Sequence, residues 1–128
     1  MAALVTPVDP PEMYQNPAFA QGMIAPSGRM LYVGGQNGAD SSGALLTGLG
    51  AQTEQALHNL IAVLNEGGTG PENVVKLTIY LAAGVDPHEA YAATGAVWGD
   101  RRTAITVLAV SPAREDALVE IDAIAAIP

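Results

Sequence analysis

The chain has 128 residues and a formal net charge of −8, with 13 Asp and Glu against only 5 Lys and Arg, and it contains no cysteine. One domain spanning residues 1–128 is expected, and a composition 49% apolar and 14% charged argues against disorder. The acidity argues against nucleic acid or an anionic membrane as partner, and the missing cysteine removes disulfides, thiolate metal sites and a cysteine nucleophile.

The first fifteen or so residues carry Pro7, Asp9, Pro10, Pro11 and Glu12 and read as an arm or edge segment. They lack the basic start and apolar run of a signal peptide, and no apolar stretch approaches membrane-span length, so a cytoplasmic protein is expected. Phe19 to Ala25 reads as a short strand. Pro26-Ser27-Gly28-Arg29 is a turn sequence, because Pro presets φ and Gly permits reversal. Met30 to Val33 follows as a buried strand ending in Gly34-Gly35-Gln36-Asn37-Gly38, where glycine permits a bulge or a close approach. Ser41 to Gly48 reads as loop.

Gly50 to Glu66 is the clearest helix. Ala56, Leu57, Leu60, Ile61, Val63 and Leu64 are expected to form its apolar face, and Gly67-Gly68 its stop. Asn73 to Ala82 is rich in β-branched residues and reads as a strand. Asp86-Pro87 signals a second helix start, running to about Trp98, where Gly99-Asp100 breaks it. Thr103 to Val110 and Leu118 to Ala126 read as strands, joined by a charged connection. The order predicts an α+β layer arrangement: one mixed sheet with two helices on one face. The other face then needs a cover, which neighbouring subunits can supply.

The residues that can carry chemistry are few. His58 lies inside the long helix and His88 in the first turn of the second, with no metal-ligand spacing, so no metal is expected. The glycine runs match neither a dinucleotide fingerprint nor a P-loop, and no histidine stands near a serine in sequence. Charges on strands remain. Alternation puts Arg102, Ala104 and Thr106 on one face and Thr103, Ile105 and Val107 on the core face. In the last strand Glu120 and Asp122 share a face opposite Val119, Ile121 and Ala123. Arg102 there can clamp a carboxylate, and Glu120 can orient or deprotonate water. The same spacing also allows a plain Arg–Glu salt bridge across strands. Trp98 reads as a core or interface anchor, Tyr14 or Phe19 as cleft or interface residues, and Lys76 as a solvated edge or interface ion pair.

Four stretches together resemble the Rid/YjgF family of imine and enamine deaminases. They are Met30 to Gln36; Gln52-Thr53 through Leu57, Asn59, Leu60 and Leu64 to Gly67; Val74-Val75-Lys76 through Tyr80-Leu81; and Arg102-Thr103 through Val119 to Ala123. The resemblance implies a chorismate-mutase-like (YjgF-like) fold and a homotrimer with a central β-barrel and clefts between subunits. It implies cofactor-free hydrolysis of reactive imines or enamines, such as 2-aminoacrylate, to a 2-keto acid and ammonia. It implies that Arg102 binds the substrate carboxylate and Glu120 holds the attacking water. Around them it implies a substrate pocket of Phe19, Gly34, Gly35, Ala92, Thr103 and Ala104. Thr103 stands where the family often has Ser or Thr, and Ala104 offers its backbone carbonyl. Phe19, Gly34 and Ala92 stand where the family has Tyr, Ser and Asn, and the usual Pro before the arginine is missing, so a more apolar pocket is expected, and a divergent member acting on a larger or less polar imine in a specialised or catabolic pathway fits as well as one acting on 2-aminoacrylate. The rivals are a non-catalytic trimer that binds small carboxylates or shields client proteins, and an endoribonuclease, which the charge disfavours.

Overall fold

The computed structural model describes residues 4–128; residues 1–3 of the expected arm lie outside it. Strand β1 (Thr6–Val8) pairs antiparallel with β2 (Gly22–Ile24) as a small ribbon. β3 (Met30–Asn37) leads through a loop to helix α1 (Leu49–Glu66). A 3-10 turn (Pro71–Asn73) opens β4 (Val74–Ala82), followed by helix α2 (Pro87–Trp98), β5 (Ala104–Val110) and β6 (Val119–Ala126). The main sheet has the order β3-β6-β4-β5, with β4 and β5 parallel and the other pairs antiparallel. The expected mixed sheet and two helices are therefore present.

The ends of the helices follow local chemistry. Asp86 caps α2 by accepting the His88 backbone N–H at 2.9 Å, and Pro87 occupies the first turn, where no N–H is needed. α1 ends where the Gly67 N–H reaches the Val63 carbonyl and Gly68 turns at φ +85°. The helices cover the sheet face carrying Val33, Leu77, Ile79, Leu81, Val119, Ile121, Ala123 and Ala125, all buried. From α1 they meet Leu49, Ala56, Leu57, Leu60 and Leu64. Val63, expected on that face, is exposed; it lies about 100° round the helix from Leu64, outside the stripe.

Beside one-residue shifts at the starts of α1, β5 and β6, three boundaries differ from expectation. The Phe19 to Ala25 strand shrinks to Gly22–Ile24, and its partner is the proline-containing β1, which has no alternation to announce it. β3 continues through the glycine pair to Asn37, with the register against β6 slipping between Val33 and Gln36. That slip is a bulge at Gly34-Gly35. Asn73 belongs to the 3-10 turn, where its buried side chain accepts the Leu4 N–H at 2.9 Å.

A second close approach follows the bulge. Buried Gln52 donates to the Leu46 carbonyl at 3.0 Å and accepts the Leu118 N–H at 2.9 Å, tying loop, helix and sheet. Gly38 presses on it: a Cβ at 38 would stand 2.3 Å from the Gln52 Cα. Backbone cannot swing aside as a side-chain tip can. Gly38→Ala is expected to cost stability at or above the upper end of the ~1–3 kcal/mol typical of overpacking. Urea unfolding checks this, and an unchanged midpoint would refute the close approach.

Candidate functional site

The sheet face opposite the helices carries a polar row. Tyr80 on β4 stands directly across from Glu120 on β6, and Thr78 across from Asp122. The Tyr80 hydroxyl donates to the Asp122 carboxylate at 3.0 Å. That bond, with burial and the nearby negative charges, raises the phenol above its ordinary pKa. The associated stabilisation is present below the ordinary tyrosine value and is lost as pH rises through the raised one. Lys76, expected at a solvated edge or in an interface ion pair, is not at an edge: it lies in a central strand and donates to the Thr106 hydroxyl. Tyr32 and Leu108 stay exposed, at 72% and 47%.

Glu120 sits on this face because its neighbours Val119 and Ile121 point into the core. Its carboxylate lies over the glycine bulge of β3. A Cβ on Gly35 would meet the Glu120 Oε2 at 2.0 Å, so only glycine leaves room for the acid in this place. Asn37 donates to the Glu120 Oε1 at 3.3 Å and Gln36 to the Gly34 carbonyl at 3.0 Å. Gly34 is exposed, with nothing near the position its Cβ would take.

Arg102 lies elsewhere. It precedes β5 by two residues, level with Val74 at the opening of β4, because Lys76 pairs with Ala104. Glu120 pairs with Tyr80 near the other end. About six residues of strand separate the two levels, on the order of 20 Å. No Arg102–Glu120 salt bridge exists within one chain. Arg102 is instead held by the N-terminal arm: its Nη1 meets the Asp9 carboxylate at 2.9 Å, and its Nη2 donates to the carbonyls of Phe19 at 2.9 Å and Asn16 at 3.1 Å. It keeps 32% of its side chain exposed. Ala104 sits beside it in the strand, bridged to Ala20 of the arm.

Thr103 does not reach this surface. It is 2% exposed and its hydroxyl donates to the Val74 carbonyl at 2.9 Å, as the alternation of the strand directs. Phe19 and Ala92 also leave the polar face: both line a cavity on the helix side of the sheet. Tyr14 is exposed, and Trp98 is buried. His58 and His88 are exposed, and among the described residues no group of three acidic or metal-ligating side chains is placed to hold an ion. No helix is long and apolar enough to cross a membrane.

Asp9 had no sequence signal, since 93 residues separate it from Arg102. The Arg102 hydrogen bond, followed by the Gln21 N–H at 3.0 Å, lowers its pKa below the ordinary carboxylate range. The stabilisation is present above the ordinary Asp value and is lost as pH falls through the lowered one. The Gln21 amide resonance is expected to shift on that acid titration in the parent and to show no such titration in Asp9→Asn. An identical titration in both proteins would show that Asp9 is not the group involved.

Comparison with known proteins follows the same lines. A family model described as Endoribonuclease L-PSP matches residues 12–127. A RutC family protein of Synechocystis is 41% identical over 113 residues, covering 82% of this chain and 83% of its own. A RutC family protein of Pyrococcus horikoshii is 32% identical, covering 77% and 80%. The crystal structure of YyfB of Yersinia pestis, a Rid-family protein of unknown function, superposes with a TM-score of 0.86 at 31% identity, covering 97% of this chain and 99% of its own. RidA of an Antarctic Psychrobacter gives 0.72 at 26% identity, covering 85% and 88%.

Proposed function

From the premise that this chain belongs to the Rid/YjgF (endoribonuclease L-PSP) family, we propose that it hydrolyses carboxylate-bearing imines and enamines to 2-keto acids and ammonia. The observation that carries the reading is Arg102. Its guanidinium already grips one carboxylate, that of Asp9, while remaining a third exposed. A guanidinium built into a strand start and held by two carbonyls is preorganised to receive a substrate carboxylate in competition with that of Asp9.

The working site is assembled between copies of the chain. Arg102 of one copy binds the substrate carboxylate, and Glu120 of the next holds water against the imine carbon. Three features support this reading: the separation of the two residues within one chain, the polar row left open by the helices, and the exposed Tyr32 and Leu108 beside it. A homotrimer closing three sheets into a barrel, with three such clefts, suits that arrangement.

The reaction balances without a cofactor. An enamine first gains a proton at carbon to become the protonated imine, the iminium, whose nitrogen becomes an ammonium group when it gains a further proton in the next step. Water, deprotonated or oriented by Glu120, forms a C–O bond at the imine carbon while the nitrogen gains a proton. The C–N bond then breaks, ammonia leaves, and the carbinol O–H proton returns through Glu120 to solvent. RNA cleavage is disfavoured by the −8 charge, which offers no basic stripe for phosphates.

The test supplies imines generated in situ from several amino acids and follows keto-acid release. The parent is expected to accelerate release. Arg102→Ala is expected to lose roughly 10²- to 10³-fold in kcat/KM, about 3–4 kcal/mol of transition-state binding. No acceleration on any imine would overturn the enzymatic reading in favour of a carboxylate-binding trimer.

A further inference from the structure

Between α2 and the helix-side face of the sheet lies a cavity of about 490 Å³. Leu57 of α1, Leu77 and Ile79 of β4, Ile105 of β5, and Ala90 and Trp98 of α2 form its walls. It lies across the sheet from Glu120, since Leu77 and Ile79 face the helices and Glu120 faces away. It opens to solvent past Tyr91 and Val107, both exposed, and has the size of a small-molecule site. It exists because α2 presents small residues. Ala90 is buried in the wall, and Ala92 and Gly95, both exposed, border the space where it opens.

One wall residue carries an unmet demand. Trp98 is 4% exposed, and its indole N–H is the only buried side-chain polar atom among the described residues with no hydrogen-bond partner. A buried indole N–H normally finds an acceptor. The other polar side chain deep in the wall, Thr53, already donates its hydroxyl to the Leu49 carbonyl at 2.7 Å. The charged residues of the lining, Asp100 and Arg101, are exposed and of opposite sign. The Arg101 Nη1 is engaged by the Trp98 carbonyl at 2.7 Å. The lining therefore calls for no net charge on an occupant.

We propose that this cavity binds a small neutral molecule, apolar over most of its surface and bearing one hydrogen-bond acceptor that meets the Trp98 indole N–H. The cavity adjoins the arm that holds Arg102, since Asn16 and Phe19, whose carbonyls fix that guanidinium, are in its lining, and it lies across the sheet from Glu120; its binding is read from resonances and not from turnover, so its failure and that of the deaminase reading are distinguishable. An acceptor on an otherwise apolar ring satisfies the indole, and the ring fills the space against the leucines and isoleucines.

The single tryptophan makes the test direct, because one indole N–H resonance reports the site. The probes are cyclohexanone, which carries an acceptor, and methylenecyclohexane, which has nearly the same shape and no carbonyl. Cyclohexanone is expected to shift the indole resonance and the methyl resonances of Leu57 and Ile105 saturably, and to bind about tenfold more tightly than the hydrocarbon. In Trp98→Phe the methyl resonances are expected to report near-equal binding of the two. Ala90→Leu, which fills the space, is expected to abolish both. The proposal is overturned if neither probe saturates in the parent, if Trp98→Phe keeps the ketone preference, or if folded Ala90→Leu binds as the parent does. Should Ala90→Leu fail to fold, the Trp98→Phe comparison decides alone.

Discussion

Subunits carrying Arg102→Ala, mixed by co-expression with subunits carrying Glu120→Gln, are expected to recover imine turnover that neither variant shows alone. The reason is geometric. Within one chain Arg102 stands level with Val74 and Glu120 level with Tyr80, on the order of 20 Å apart along the sheet. A substrate the size of an amino acid cannot span them, so a site using both must take one from each of two copies. In a randomly mixed ring, roughly a quarter of the interfaces pair an intact Arg102 with an intact Glu120. Turnover should therefore return to about that fraction of the parent's. If both residues served one site within a single chain, mixing would restore nothing. Recovery with no higher assembly by light scattering would equally remove the intersubunit reading.

Gly35→Ala is expected to lose activity by about 10²-fold while leaving the unfolding midpoint nearly unchanged. The added Cβ would occupy the place of the Glu120 carboxylate, at 2.0 Å from Oε2 and 2.8 Å from Cδ. Those atoms form the free end of a flexible side chain, so the clash is relieved by turning Glu120 away, at little cost to the fold. The acid then no longer stands where Asn37 steadies it at 3.3 Å. Most glycine substitutions in strands act on stability, and this one separates the two effects. Parallel measurement of kcat/KM and thermal midpoint checks it. A large fall in the midpoint with unchanged activity in the folded fraction would show that the bulge serves architecture alone. Gly38→Ala is the contrasting case, because there the Cβ would meet the Gln52 backbone.

Competition at Arg102 links the arm to the proposed chemistry. Asp9 is a carboxylate supplied by the chain itself, on the same guanidinium that a substrate carboxylate would seek. The two carbonyls of Asn16 and Phe19 fix the guanidinium from another side. The arm thus orients the arginine and, through Asp9, competes for it. Composition could not show this, since it names the charges without saying which of them meet.

Much of the architecture was written in local sequence. The 3.6-residue recurrence of Leu57, Leu60 and Leu64, the Asp86-Pro87 cap and the alternation of Val119, Ile121 and Ala123 against Glu120 and Asp122 each specify an element or a buried face through neighbours only. Alternation alone also turns Thr103 inward, where its hydroxyl bonds the Val74 carbonyl. The glycine pair at 34 and 35 marked a bulge or close approach, and the structure supplies what approaches it: Glu120. What sequence could not give was pairing over long separations. β1 has three residues, one of them proline, and becomes a strand only because β2 lies beside it. Asp9 finds Arg102, and Asn37 finds Glu120, only after the sheet order brings them together. The distance between Arg102 and Glu120 and the unpartnered indole N–H over the cavity likewise depend on which strands and helices are neighbours. Such neighbours are selected by burial of the whole apolar surface, and no short window of residues encodes them.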